Sequence, residues 1–266
     1  MHTWHWQTWE GMPYLTCSLL DSWQHGFFTQ QFAPRTPVDL VEVLHPHAGV
    51  YRTKQVHGNV VPLTSELEPL SGADSPAPEL YFADGIVSDR SEASVWVCSA
   101  DCTPVLIADD RTGQVAAVHS GWRGTAAGIV GEAIARLQAG GSNVADLRVA
   151  MGPAISGEMY QVTREVGAKV VAAFADCEGE AEIEVQLDRL MAFPDSPVLK
   201  DSEPGRIRLD IRKAIARQLD RLGVDLDCVS IAPHCTYQEP EYFFSYRRTA
   251  EKNVQWSGIV SRELGE

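Results

Sequence analysis

The chain has 266 residues, of which 44% are apolar and 22% charged, the balance of a soluble globular protein and not of a disordered or fibrous one. Thirty-six acidic residues against 22 basic ones leave a net charge of −14, which excludes a nucleic-acid surface as the leading reading, because phosphate backbones are gripped by clustered Lys and Arg. No run approaches the ~20 apolar residues of a membrane span, the start Met1-His2-Thr3-Trp4-His5-Trp6 has no basic leader, and the irregularly spaced cysteines read as reduced thiols in a cytoplasmic protein.

Residues 1–50 are rich in aromatics and prolines, with a strand expected around Leu15 to Leu19 and a turn at His25-Gly26. Ser, Pro, Glu and Gly dominate residues 64–79, which read as a surface loop. Three β-rich runs follow: Val95-Trp96-Val97, Val105-Leu106-Ile107 and Val115-Ala116-Ala117-Val118-His119. Pro104 argues against one uninterrupted central strand across the first two. Gly121-Trp122-Arg123-Gly124 predicts a turn and Thr125 a helix cap. The helix itself is expected over Ala126 to Ala139, with Ile129, Ala133, Ile134 and Leu137 on its apolar stripe and Gly140-Gly141 as its stop.

Leu147 to Met151 reads as a strand closed by Gly152-Pro153, Val162 to Phe174 as a helix, and Cys177 to Glu184 as solvated acidic surface. An amphipathic helix is expected over Leu209 to Leu222, with Ile211, Ile215 and Leu219 inward and Gly223 ending it. A late strand, Val229-Ser230-Ile231-Ala232, leads to Cys235. Strands and helices alternate with neither internal repeat nor linker, which predicts one α/β domain over residues 1–266.

Chemistry concentrates in three segments: Gln55-Val56-His57-Gly58, Cys98-Ser99-Ala100-Asp101-Cys102 and Val118-His119-Ser120-Gly121-Trp122-Arg123-Gly124. Each sets a His or Cys beside turn-forming residues at the end of an apolar run, where a strand-based fold assembles a reactive site. His57, His119 and one thiolate supply three ligands to a first-row metal and leave the fourth position open, the pattern of catalytic zinc. His234 or Cys235 would close that position and make the site structural. Cys98 and Cys102 do not serve together along an extended chain, because four residues span ~13 Å against Zn–S bonds of ~2.3 Å. Cys102, in the Asp-Cys-Thr-Pro turn, is the chosen ligand, and Cys98 is assigned to the core.

His119 is expected at the carboxyl end of its strand, where open α/β sheets bind ligands. The turn after it offers backbone N–H groups to an anion and contains Arg123, whose guanidinium can hold phosphate bidentately. Asp101 works as an acid or base beside the thiolate, orients a metal ligand, or bonds its own turn backbone. Phe243-Phe244-Ser245-Tyr246-Arg247-Arg248 has two readings: aromatics such as Tyr246 stack on a flat base while Arg247 pairs with phosphate, or the phenylalanines are core and the arginines solvated.

Taken in order, Gln55-Val56-His57-Gly58, Ala83-Asp84-Gly85, Ala100-Asp101-Cys102-Thr103-Pro104-Val105-Leu106, His119-Ser120-Gly121-Trp122-Arg123-Gly124, Gly152-Pro153-Ala154-Ile155, Leu209-Asp210 and Phe243-Phe244-Ser245-Tyr246-Arg247-Arg248 resemble the YfiH family, also called the laccase-domain or multicopper polyphenol oxidase family. The resemblance implies a layered α/β/β/α sandwich with mixed sheets and a mononuclear zinc centre on His57, Cys102 and His119. It further implies phosphorolysis of adenosine, inosine, guanosine and methylthioadenosine, with adenosine deamination as an accompanying activity. The chain departs from the family pattern in the looser His25-Gly26-Phe27-Phe28-Thr29-Gln30 segment, in Met159 where a Cys commonly precedes Tyr160, in Ile215 where Asn is common, and in Val254 where the tail usually carries Arg. These changes spare the metal triad and bear on substrate range.

Phosphorolysis asks the site to hold phosphate near the ribose anomeric carbon while the purine departs, a task of positioning and charge stabilisation. Zinc, Arg123 and Arg247 are the expected oxyanion holders, with purine nucleosides and inorganic phosphate as partners, and neither nucleic acid nor membrane. The His-x-Glu and Pro-Cys-x-x-Cys signature of zinc nucleobase deaminases is absent. Copper oxidation of phenols ranks lower, since it needs several copper ions and more ligands than eight histidines supply, with His2, His5, His45 and His47 in weakly patterned sequence. A hydrolase using Cys102 and His119, and a non-catalytic metal-binding module, are the remaining alternatives.

Overall fold

The first hairpin already departs from the expected pattern. β1 (Trp4–Trp9) and β2 (Met12–Cys17) pair antiparallel with Trp9 opposite Met12. Glu10 and Gly11 between them both have positive φ, the geometry of a two-residue turn matched to strand twist. The structure, a computed structural model, describes residues 2–70, 79–175 and 179–263. His25-Gly26, expected as a turn, instead opens the buried strand β3 (His25–Phe28). Gly26 is needed there for close packing: a Cβ would lie 3.1 Å from the Phe28 ring and 3.2 Å from that of Tyr14.

The remaining elements follow in chain order. They are α1 (Pro37–Leu44), β4 (Gly49–Arg52), β5 (Gly85–Val87), β6 (Ala93–Ser99), β7 (Thr103–Asp109), β8 (Val115–Ser120), α2 (Trp122–Ala126), α3 (Ile129–Ala139) and β9 (Leu147–Met151). Then come β10 (Gln161–Thr163), α4 (Arg164–Ala172), α5 (Glu180–Leu190), β11 (Val198–Lys200), β12 (Arg206–Leu209), α6 (Ile211–Arg221), β13 (Val229–Ile231), α7 (Tyr246–Thr249) and β14 (Gln255–Val260). A six-stranded sheet has the order β1-β2-β3-β14-β6-β4, a five-stranded sheet β13-β9-β7-β8-β5, and a small sheet β10-β12-β11. Most neighbours are antiparallel, and the β4–β6 and β13–β9 pairs are parallel.

Strand alternation sorts the core into three layers of contact. Val95 and Val97 of β6 meet Leu106 and Ala108 of β7 and Ala117 of β8 between the two large sheets. Val105, Ile107, Ala116 and Val118 point the other way, onto Ile129, Ile134 and Leu137 of α3 and Ile215 and Leu219 of α6. Trp96 faces outward to Leu40 and Leu44 of α1. The result is the expected α/β/β/α layering. It also explains why β7 and β8 read as unbroken apolar runs, since both faces are covered. Each fully buried aliphatic side chain there contributes ~1.5–3 kcal/mol relative to exposure.

Pro104 does separate two strands, but it lies inside the second of them, near the start of β7. β6 and β7 belong to different sheets, so the chain crosses between layers at Ala100-Asp101-Cys102. The helix expected from Ala126 is broken into α2 and α3 by Gly128, which has φ +73. Thr125 is not its cap: its hydroxyl bonds back to the Gly121 carbonyl at 2.9 Å within α2. Val162 lies in β10, and Thr163 caps α4, its hydroxyl accepting from the Val166 amide. Glu180 to Glu184, expected as solvated acidic surface, open α5, whose buried contact is Leu187. In the expected loop, Thr64–Glu66 form a 3-10 turn and Leu70 bridges to Val50; residues 71–78 and Cys177 lie outside the described residues. Among the described residues no helix is long and apolar enough to cross a membrane.

Candidate metal centre and substrate pocket

His57, Cys102 and His119 come together from three separate stretches, and their donor atoms all lie within 4.8 Å of one another. His119 is the penultimate residue of β8, buried, and Cys102 immediately precedes β7, whose Thr103 pairs with Ser120. His57 is exposed on the loop after β4, with φ 62. Its ring and that of His119 are 4.9 Å apart and nearly perpendicular. Gly121 makes the room: a Cβ there would sit 2.7 Å from the Cys102 Sγ.

One fully buried carboxylate, unassigned in the sequence reading, organises this cluster. Asp84 accepts hydrogen bonds from the amides of Val56 (3.0 Å), His57 (2.8 Å) and Gly58 (2.8 Å) and from His119 Nδ1 (2.9 Å). Three N–H groups on one carboxylate stabilise the left-handed conformation at His57. The bond from Nδ1 leaves Nε2 of His119 as the ring atom free to ligate a metal. Gln55 ties the same loop to β6, its side chain donating to the Cys98 carbonyl and accepting from the Cys98 amide at 2.7 and 2.8 Å.

Burial raises the Cys102 thiol, but hydrogen bonds and charge from His119 and His57 outweigh it and bring the group down to about 6. Burial lowers His119, but Asp84 and then Cys102 outweigh it and raise the imidazole to about 9. Without metal the pair is therefore thiolate and imidazolium at neutral pH. Two nitrogens and one thiolate sulfur within reach of a single point fit one first-row metal ion with an open coordination position. Cys98 behaves differently: it packs beside the core of the six-stranded sheet, and burial pushes its thiol up to about 11. His234 and Cys235 lie outside the donor group. The first bonds Glu239 at 2.7 Å and the second accepts from the Ser156 amide.

A cavity of about 590 Å³ opens over the cluster, and Arg123, Tyr160, Tyr246 and Arg247 line it. Arg123 stacks on Trp122 at 4.4 Å. α2 is only five residues long, so the charge offered to an anion there is chiefly that of the guanidinium. Arg247 lies over the Tyr160 ring at 4.9 Å. Asp101 (φ 93) neither bonds its own turn nor stands free: Oδ1 accepts from the Thr236 hydroxyl and Oδ2 from the Arg247 amide, both at 2.7 Å. That carboxylate pins the carboxyl-terminal motif to the Cys102 turn. The motif divides its own residues: Phe243 is core, while Arg248 donates to the carbonyls of Thr236, Tyr237 and Phe243. Tyr246 and Arg247 remain at the cavity.

Fold and site together define a layered α/β protein with an open His-Cys-His centre under an arginine-lined pocket. Residues 39–261 match the family model described as multi-copper polyphenol oxidoreductase laccase. The chain is 49% identical over 260 residues to a purine nucleoside phosphorylase of Synechocystis sp., covering 97% of each. It is 31% identical over 212 residues to the purine nucleoside phosphorylase YlmD of Geobacillus stearothermophilus, covering 79% of this chain and 70% of that one. Crystal structures of that YlmD (TM-score 0.78, 24% identity) and of Bacillus licheniformis YfiH (TM-score 0.75, 21% identity) share the fold over 97% of this chain and 99% of theirs. The chain belongs to this YfiH, or laccase-domain, family.

Proposed function

We propose that the chain is a cytoplasmic purine nucleoside phosphorylase with one zinc ion held by His57, Cys102 and His119. The observation that carries the reading is the convergence of a thiolate, two imidazoles and two guanidiniums on one cavity. The purine nucleoside phosphorylase of Synechocystis, similar across nearly both chains, supplies the substrate class. Free Cys17, Cys98, Cys102, Cys228 and Cys235 accord with a reducing compartment.

Arg123 and Arg247 bind inorganic phosphate and aim an oxygen at the anomeric carbon, so that the entropy of bringing the reactants together is met on binding. Tyr246, 55% exposed at the cavity, offers its ring face to the purine. Asp101 acts by fixing Arg247 through its backbone amide. When bound, zinc supplies Lewis-acid polarisation of a substrate oxygen. Asp84 keeps the His119 ring in one tautomer and the His57 loop in one conformation. Adenosine deamination is the accompanying activity, scored in the same assay. The multi-copper reading has less support, because among the described residues a single group of His, Cys, Asp or Glu side chains brings its donors together, and oxygen chemistry of that kind needs several copper ions.

The test combines metal analysis of anaerobically purified protein with release of hypoxanthine from inosine, with and without phosphate, and of ammonia from adenosine. Stoichiometric zinc and phosphate-dependent hypoxanthine are expected. Activity that survives both Cys102→Ala and metal removal would overturn the mechanism.

A further inference from the structure

Tyr160 plays no part in the sequence-derived site, yet it lines the same cavity as Cys102, Arg123 and Arg247. Its backbone is fixed just before β10: the amide donates to the Ser156 carbonyl and the carbonyl accepts from the Leu209 amide, both at 3.0 Å. The ring face carries the Arg247 guanidinium at 4.9 Å. That same guanidinium donates to the Gln161 carbonyl at 3.0 Å. Tyr160 therefore sits on a braced platform built from β10, the Cys102 turn and α7.

Its hydroxyl is different. It is not one of the fully buried polar atoms left without a partner, so it reaches solvent, and the residue lines the cavity, where a ligand oxygen can replace that water. Burial, with a smaller push from the Cys102 charge, raises the phenol to about 12 against the pull of Arg247. It is thus a neutral O–H donor throughout the physiological range. A tetrahedral oxyanion presents more acceptor sites than two guanidiniums satisfy, and a neutral donor adds a bond without adding charge.

We propose that the Tyr160 hydroxyl is the third donor of an oxyanion cradle formed with Arg123 and Arg247, and that it contacts the phosphate cosubstrate directly. The inference rests on the phosphorylase reading and names a substrate-contacting residue within it. No proton is lost from the hydroxyl in the role: it only donates a hydrogen bond while a phosphate oxygen forms the bond to C1′, the C1′–N9 electron pair leaves with the purine, and the purine takes its proton from dihydrogen phosphate or solvent.

The test uses Y160F in the metal-loaded full chain. Phenylalanine keeps the ring beneath Arg247 and removes only the donor. Initial rates are measured with phosphate varied at saturating inosine and with inosine varied at saturating phosphate, and inorganic phosphate binding is measured by calorimetry. The expected result is a KM for phosphate, and a calorimetric Kd, raised about tenfold or more, the loss typical of a hydrogen bond to a charged group, with the inosine KM unchanged. Y160H, which restores a ring N–H donor, should recover part of the loss, a gain that a merely structural role would not produce. Wild-type phosphate KM and Kd in Y160F, or an increase confined to the inosine KM, would overturn the cradle. If the wild-type protein cleaves no nucleoside with phosphate, the phosphorylase reading falls, and calorimetry of phosphate on wild type and Y160F still decides the cradle.

Discussion

Gly121→Ala is the sharpest perturbation of the proposed metal centre because it adds one methyl group against the proposed ligand sulfur. Gly121 has φ −83 and ψ 177, an extended conformation open to any residue, so no backbone strain enters. The new Cβ would lie 2.7 Å from the Cys102 Sγ and 3.6 Å from the His57 Cδ2. Nonbonded heavy atoms pack at ~3.5–4 Å, so the sulfur must retreat by roughly 1 Å. Metal sites hold their ligand distances to within ~0.2 Å. We therefore expect zinc affinity to fall on the order of 100-fold, at least matching the loss of a supporting group around the ligands, with an overpacking cost of about 1–3 kcal/mol. Competition with a chromophoric chelator reads the first quantity, and urea unfolding of the metal-free protein reads the second. Gly131→Ala is the control: its Cβ meets the Leu222 Cδ1 at an ordinary 3.6 Å in the first turn of α3, and it should stabilise by up to about 0.5–1 kcal/mol. Wild-type zinc affinity in Gly121→Ala would refute the reasoning.

Asp84→Asn turns an amide NH2 toward N–H donors of Val56 and Gly58 or of His57 and His119. At ~1.5–3 kcal/mol for each bond to a charged group, it should destabilise by about 3 kcal/mol or more in chemical unfolding and weaken zinc binding about 10–100-fold. Cys98→Ala should retain zinc and activity whereas Cys102→Ala loses both, as metal analysis and inosine turnover will show. In metal-free protein the Cys102 value of about 6 lies below the ordinary 9.0, so its contribution to stability is complete above 9.0 and fades as pH falls through about 6. His119, raised from 6.5 to about 9, contributes fully below 6.5 and fades as pH rises through about 9. Thermal stability with chelator present should thus peak between those limits, and Cys102→Ser should flatten the curve. An unchanged profile in that variant would show the pair to be uncharged.

Local signals carried far where the physics is local. The apolar runs around Val95, Val105, Val115 and Leu147 all became strands, and Gly140 and Gly223 end their helices as expected. Misreadings fall where packing overrides local preference: Gly26 is a close-contact glycine inside β3, Val162 is captured as a strand by Ile207, and Gly128 splits an otherwise continuous helical pattern. His57, Cys102 and His119 were visible because each carries its donor chemistry in its own side chain and sits at the end of a recognisable run.

Asp84 and Tyr160 were not visible in that way. Asp84 matters because β5 brings its carboxylate beneath the His57 loop and beside the His119 ring. Tyr160 matters because α7 lays Arg247 across its ring. Asp101, next to the thiolate in the chain, turned out to face Thr236 and Arg247, more than 130 positions away. Residue type and periodicity fix which groups can ligate, cap or fill a core. Which carboxylate meets which imidazole depends on long-range strand order and on the crossing between two sheets, and no spacing along the chain encodes that.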